Sequence, residues 1–496
     1  MGKLLLGIDI GTSSSKGVLA RPDGSIVATA IRPHDLSLPG PGWAEHDAEN
    51  VWWADFVALC AELVAKADEP VSAVCVSGIG PCLLPADAAG KPLRPAILYG
   101  IDTRATREIE ELTERYGAET ILARCGSLLT SQAVGPKLLW LRRNEPDVWA
   151  QTRYMFMASS FIVFRLTGEY VLDHHSASQC DPLYDLKENR WIDDWAEEIA
   201  PGLPLPRLLW PSDVAGTISE AASKLTGIPA GTPVAAGTID AWAEAASVGV
   251  LQPGDLMLMY GTTMFLIEVV TEPQPHPGLW STAGIFKGTY SLAAGMATSG
   301  ALTAWLRNVA GNPPYEALVK EAAQVPPGSE GLLMLPYFAG ERTPLFDPDA
   351  RGVICGLTLS HGRGHLYRAA LEATAYGVRH ILETMKEAGG GGTRLVAVGG
   401  GTKGGLWTQI VSDVVGRPQV LPAETVGASY GDAMLAAIAG GLTEPDARWN
   451  SNAAVVEPDI QAGPLYERLY TLYRELYPAT RSIVHSLADI QKHSAS

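Results

Sequence analysis

Two stretches about 250 residues apart share one pattern. LLLGIDIGTSSSKGVLA (4–20) and DLMLMYGTTMFLIEVV (255–270) each read as an apolar strand, a Gly-Thr turn and a second apolar strand. A chain that opens two halves with the same hairpin is most simply two related α/β domains. The segments after each hairpin fit. The first is followed by a strand at 26–30, a helical period over 51–66 and a buried strand at 71–78. The second is followed by SLAAGMATSG, a helix at 300–309, a long amphipathic helix over 365–388, and the strand LVAVGGG (395–401) before the helix LWTQIVSDVVG. Helical periods also cover 103–117 and 136–143. At 496 residues the chain is too long for one core. The boundary is expected near 243–254, giving an N-terminal domain over 1–245 and a C-terminal domain over 246–496, with a cleft between them.

The turns suggest chemistry. Gly11, Thr12, Ser13 and Ser14 aim several backbone N–H groups and hydroxyls at one point, which suits an anion, and Lys16 adds a nearby positive charge. Asp9, at the strand tip, repels phosphate and makes sense there only with a cation such as Mg²⁺ between them. The second turn, Gly261-Thr262-Thr263, repeats the arrangement. Two phosphate-facing turns suit a nucleotide held between two domains. In TPVAAGTIDAWAEAASVG (232–249) a strand of small residues ends at Gly237 and Asp240 starts a helix. Acids at helix starts are commonly caps. This one lies at a strand's C-terminal end near the domain boundary, where α/β ligand sites form, and is the candidate general base.

Other signals are weaker. In AILYGIDTRATRE (96–108) a strand is expected to run into Asp102 and Arg104, and the Asp102 carboxylate could hold a polyol through two hydroxyls. Gly399, Gly401 and Gly404 satisfy G-x-G-x-x-G, with Glu424 about twenty residues on, which supports an NAD-linked oxidoreductase as the runner-up. That reading leaves both hairpins and Asp9 unexplained. His174 and His175 lack a third ligand at suitable spacing and are expected in a loop or strand end. The formal net charge of −17 argues against nucleic acid or an anionic membrane as partner, and no apolar run approaches the length of a membrane span. The N-terminus enters a strand directly, without a basic-then-apolar leader, and six cysteines are scattered without C-x-x-C spacing, so reduced thiols in a cytoplasmic protein are expected.

Taken together, the chain resembles the FGGY carbohydrate kinases of the actin/hexokinase-type ATPase superfamily, over essentially its whole length. GVICGLTLSHGRGHLYRAALE (352–372) resembles the family's second signature, and KLLWLRRN (137–144) the later part of its first, with Val134 where Pro, Ser or Thr is usual. LPYFAGERTPLFDPDARG (335–352) and PGWAEHDAENVWW (41–53) are closer to the xylulokinase branch than to the glycerol kinase branch. The resemblance implies two ribonuclease-H-like domains and an ATP-dependent kinase that phosphorylates a small open-chain ketose or polyol, with a ketopentose such as xylulose first. It implies phosphate contacts at Gly11, Thr12, Ser13, Ser14, Lys16, Gly261, Thr262 and Thr263, and an adenosine segment at Gly400, Gly401, Thr402 and Lys403. It implies Mg²⁺ oriented by Asp9 and Asp240, with Asp240 as catalytic base and Asp102 and Arg104 on the sugar. Two departures bear on the substrate. Tyr99-Gly100-Ile101 precede Asp102 where polar and aromatic residues are common, and Ile79-Gly80-Pro81-Cys82 replaces the Gln-Met-His-Gly of xylulokinases. Gly80, Pro81 and Cys82 thus give the sugar a small, apolar lining, which shifts attention to other acceptors: tetritols, glycerol, ribulose or gluconate. The resemblance also makes a homodimer a candidate assembly, and leaves open a catalytically silent sugar sensor on the same fold.

Overall fold

The computed structural model describes residues 3–494. The apolar run Leu4–Ile10 forms a wholly buried strand. It pairs antiparallel with Ser14–Ala20 through the first Gly-Thr turn, and parallel with Val71–Gly78. Strand order across this sheet is Val214–Thr217, Pro233–Ala235, Val71–Gly78, Leu4–Ile10, Ser14–Ala20, Ile26–Pro33. The short strand Thr238–Ile239 joins the end of Val71–Gly78. Register places the site: Asp9 lies opposite Ser77, and Ser77 opposite Thr238. Three strand tips therefore end side by side, and helix Asp240–Ser247 begins directly after the third.

The second hairpin repeats the plan. Asp255–Tyr260 pairs antiparallel with Met264–Val270 and parallel with Arg394–Val398, which in turn pairs parallel with Gln419–Pro422. Both expected hairpins and the glycine-ended parallel strand of each half are present. The fold is the expected α/β one, with mixed sheets covered by helices.

The chain divides into two compact units. One holds the residues up to Gln252 together with Val269–Ser291 and Val426–Asn450; the other holds Pro253–Glu268, Leu292–Thr425 and the chain from Ser451. The units are thus interleaved in sequence. Helix Ala428–Ala439 belongs to the first and packs on strand Leu4–Ile10, where the missing Cβ of Gly7 leaves room for the backbone of Ser429. The C-terminal helix Gly463–Ser494 packs within the second, burying Tyr466, Tyr470 and Tyr473.

The strand expected to run into Asp102 is shorter than anticipated. Only Ala96–Ile97 is extended, and Asp102 sits in a turn whose N–H donates to the Tyr99 carbonyl. All six cysteines are free thiols, five of them buried. No helix among the described residues is long and apolar enough to cross a membrane.

Candidate active site

Asp9 and Asp240 come together in the first unit. Asp9 is buried at the strand tip, and Ser77 Oγ lies 3.5 Å from its Oδ1. Asp240 is half-buried, and its Oδ1 accepts the Ala241 N–H at 2.7 Å. Burial, then the Asp240 charge, pushes Asp9 above the ordinary carboxylate range, with Lys16 opposing. Burial also raises Asp240, with the Ala241 N–H and Lys16 working against the Glu244 charge. Three carboxylates thus crowd around one lysine. Hard oxygen donors in excess of positive charge suit a divalent cation. Among the described residues no three His, Cys, Asp or Glu side chains form a cation cage of their own. A cation here would take its remaining oxygens from phosphate or water.

The turn keeps two of its amides unengaged. Gly11 N–H closes it by donating to the Ser14 carbonyl. The Thr12 and Ser13 amides make no hydrogen bond to described protein groups.

The stretch Ile79–Cys82 lies against the start of the Asp240 helix, because a Cβ on Gly80 would meet Ile239 Cγ1 at 2.7 Å. Cys82 is buried, and burial pushes its thiol up to about 12, with Lys137 lowering and Asp240 raising it. Lys137 is also buried; its Nζ donates to the Ser131 carbonyl at 2.7 Å. Burial pushes this ammonium down to about 8, with Cys82 and Asp102 opposing it. Asp240, Cys82, Lys137 and Asp102 therefore share one electrostatic neighbourhood.

Asp102 and Arg104 form a closed pair. Asp102 Oδ2 accepts from Ala44 N–H at 2.8 Å and from Arg104 Nη2 at 2.7 Å, while Oδ1 accepts from Arg104 N–H and Nε. Arg104 also reaches Glu45 at 2.8 Å and lies over the Trp43 ring at 4.1 Å. A carboxylate offers about four lone-pair sites. Those of Asp102 are filled by the protein, while Arg104 Nη1 is buried without a hydrogen-bond partner among the described residues.

The second unit carries a cavity of about 820 Å³. Of the residues expected at the nucleotide, Gly261, Thr262, Gly400, Gly401 and Lys403 line it, together with Gly404 and Trp407; Thr263 and Thr402 do not. Thr263 gives its carbonyl to Gly261 N–H, and Thr402 Oγ1 donates to Gly399 O, so both hold their turns from within. Glu424, the acid of the dinucleotide fingerprint, is not on the wall. Sequence reasoning missed Tyr315, Glu316 and Lys320, which line the cavity from one helix, and Tyr367, which lines it from another.

Sequence reasoning also missed Glu244 and Asp432. Glu244 lies one helical turn after Asp240, a spacing that could have flagged it. Asp432 is a lone acid in an Ala-rich helix; its Oδ2 accepts Ser77 Oγ at 2.7 Å, and burial then the Asp9 charge raise it far above the ordinary range despite Ser77. His174 and His175 are engaged by protein: Nδ1 of His174 meets Tyr184 Oη at 2.7 Å, and Nδ1 of His175 meets Ala283 O at 2.8 Å.

Comparison with known proteins bears on this arrangement. The model of the N-terminal domain of the FGGY family of carbohydrate kinases matches residues 4–249, and that of its C-terminal domain residues 256–440. The crystal structure of xylulose kinase from Rhodospirillum rubrum superposes with a TM-score of 0.91 at 34% identity, over 97% of this chain and 100% of that one. Xylulose kinase from Bacillus subtilis is 27% identical, covering 99% of this chain and 100% of its own length. Glycerol kinase from Nocardia farcinica is 31% identical, covering 90% of this chain and 93% of its own.

Proposed function

We infer the reaction from one premise: the chain belongs to the FGGY family of carbohydrate kinases. Sugar kinase activity with ATP as phosphate donor follows from membership. The finer reading is ours: transfer of the γ-phosphate to a hydroxyl of a small open-chain ketose or polyol, with a ketopentose such as xylulose first. The relatives divide among xylulose, glycerol and gluconate kinases, and the Gly80-Pro81-Cys82 lining differs from the polar one of xylulokinases, so the acceptor has to be found by assay.

The observation that carries the reading is Asp240. It is a half-buried carboxylate at a strand end, beside Asp9 and the Gly11–Ser14 turn, and among the described residues its helix amide is its one hydrogen-bond partner. In that position it accepts the proton of the attacking hydroxyl, while the turn amides and Lys16 receive phosphate oxygens. Arg104 Nη1 and Lys137 orient the rest of the acceptor. Asp9 and Asp240 would hold Mg²⁺, which when bound neutralises phosphate charge. The cavity of the second unit takes the adenosine, with Gly400, Gly401 and Trp407 in its lining. Phosphoryl transfer needs little covalent chemistry from protein, so positioning and charge neutralisation carry the rate.

A coupled ADP-release assay with Mg²⁺-ATP against ketopentoses, tetritols, glycerol and gluconate tests this. Strong turnover on one acceptor supports the reading; ATP-dependent activity on none of them counts against it.

The cavity assignment has its own test. A Cβ on Gly400 meets no protein atom within 4 Å, and its φ is not in the left-handed region. Gly400→Val is therefore expected to fill the cavity without disturbing the fold. KM for ATP rises roughly tenfold or more, equivalent to about 1.4 kcal/mol of binding, while the melting temperature stays within about a degree. An unchanged KM for ATP would place the adenosine elsewhere.

A further inference from the structure

Behind the first turn lies a cluster that the proposed reaction does not use. His34 follows strand Ile26–Pro33, and its N–H donates to Ser13 O at 3.0 Å. Its side chain is only 7% exposed. Ring Nδ1 lies 2.8 Å from Asp55 Oδ2, and Nε2 lies 3.1 Å from the Gly11 carbonyl oxygen. Asp55 is fixed in turn by Ser15 Oγ, which donates to the same Oδ2 at 2.8 Å. A carboxylate and a peptide carbonyl are acceptors, so an imidazole that bonds both must carry a proton on each nitrogen. His34 is then an imidazolium.

Its neighbour resolves the other way. Trp52 Nε1, which can only donate, lies 3.1 Å from His46 Nδ1. The His46 proton therefore sits on Nε2, a buried atom without a partner among the described residues, and the ring is neutral. The two rings meet edge to face with centroids 5.2 Å apart. One of two touching histidines is charged and the other is not, as repulsion between them requires.

The charged one faces the turn. Gly11 C=O and Thr12 N–H belong to one peptide group. A charged donor at the carbonyl end polarises that group and makes the amide at its other end a stronger donor. We propose that His34 is a positioning residue for the phosphoryl group, bracing the Gly11–Ser14 turn from behind through Gly11 O and Ser13 O and strengthening the Thr12 amide toward a phosphate oxygen. This rests on reading the turn as a phosphate site.

The titratable groups against His34 are Asp55 and His46. Burial lowers the His34 pKa, but the hydrogen bond and charge of Asp55 and the carbonyls of Gly11 and Thr12 outweigh it and hold it above the ordinary value. Burial, then the His34 charge, pushes His46 down to about 4. A raised histidine pKa means the brace is complete at low pH and is lost as pH rises through that raised value.

The test needs no sugar. Full-length wild type, His34→Gln and Asp55→Asn are titrated calorimetrically with Mg²⁺ and adenylyl imidodiphosphate at pH 6.5 and pH 9, and the ring nitrogens of the wild type are followed by ¹⁵N NMR. The wild type should show His34 protonated on both nitrogens at pH 6.5. His34→Gln should bind about five- to tenfold more weakly at pH 6.5, with the gap closing at pH 9, and Asp55→Asn should move the loss of binding to lower pH. Equal affinity of wild type and His34→Gln at pH 6.5, or a neutral His34 in the wild type at that pH, overturns the brace and leaves the kinase reading standing. No binding by any form removes the phosphate site and the brace together.

Discussion

Asp240→Asn should lower kcat by a factor of about 10² to 10⁴, the usual range for a lost general base, while the protein stays folded. Asparagine keeps the shape and can still accept the Ala241 N–H through its carbonyl, as Asp240 Oδ1 does at 2.7 Å. What it loses is the ability to take the hydroxyl proton. It also removes one negative charge from beside Asp9 and Glu244, so its melting temperature should equal or exceed that of the wild type. The sign follows from linkage. Asp9 and Asp240 hold protons more tightly in the folded chain than in the unfolded one, because burial raises both, with the Asp240 charge adding to it at Asp9 and the Glu244 charge at Asp240. Stability therefore falls as pH rises from about 4, the unfolded carboxylate value, through the raised ones. The variant should show a shallower fall. Activity runs the opposite way in the wild type: kcat drops as pH falls through the raised value of Asp240, because a protonated base accepts nothing. ADP release and calorimetric melting at pH 5.5 and pH 8 check both signs. Near-full turnover by the variant would sink the assignment of Asp240.

Much of this was legible in the sequence, for identifiable reasons. Strands Leu4–Ile10 and Asp255–Tyr260 are short apolar runs closed by Gly-Thr turns, a local signal that needs no knowledge of partners. Asp240 was legible because a strand of small residues before a helix start fixes where the acid must stand. Three things were not legible. The return of Val426–Asn450 to the first unit depends on where an Ala-rich helix, apolar on most faces, finds a flat strand, and Gly7 reveals that only once register is known. The saturation of Asp102 depends on counting acceptors in space; the sequence DTR shows the acid and the arginine but not Ala44 N–H. His34 and Asp55 lie 21 positions apart on different elements, and no spacing rule joins them.

The second large effect is expected at Gly431, in helix Ala428–Ala439. Its missing side chain lets this helix touch helix Asp240–Ser247 backbone to backbone: a Cβ there would lie 1.9 Å from the Ala243 carbonyl oxygen and 3.2 Å from Ser247 N. These are main-chain atoms and cannot rotate aside, so Gly431→Val forces the helices apart. Overpacking typically costs about 1–3 kcal/mol where side chains can adjust; against rigid backbone on both sides, at least about 3 kcal/mol is expected, within the range where a single change can unfold a domain. The site should suffer even in molecules that stay folded. One helix carries Asp240 and Glu244, and the other carries Asp432, which holds Ser77 Oγ at 2.7 Å beside Asp9. Parting them moves carboxylates relative to the turn, so kcat should fall along with stability. Gly400→Val is the control, because it makes the same chemical change at a position with no atom within 4 Å. That variant should keep its melting temperature and lose ATP affinity, whereas Gly431→Val should lose its melting temperature first. If Gly431→Val instead melts with the wild type, the two helices do not meet backbone to backbone at Gly431, and the placement of Asp240 relative to Asp9 loses its structural support.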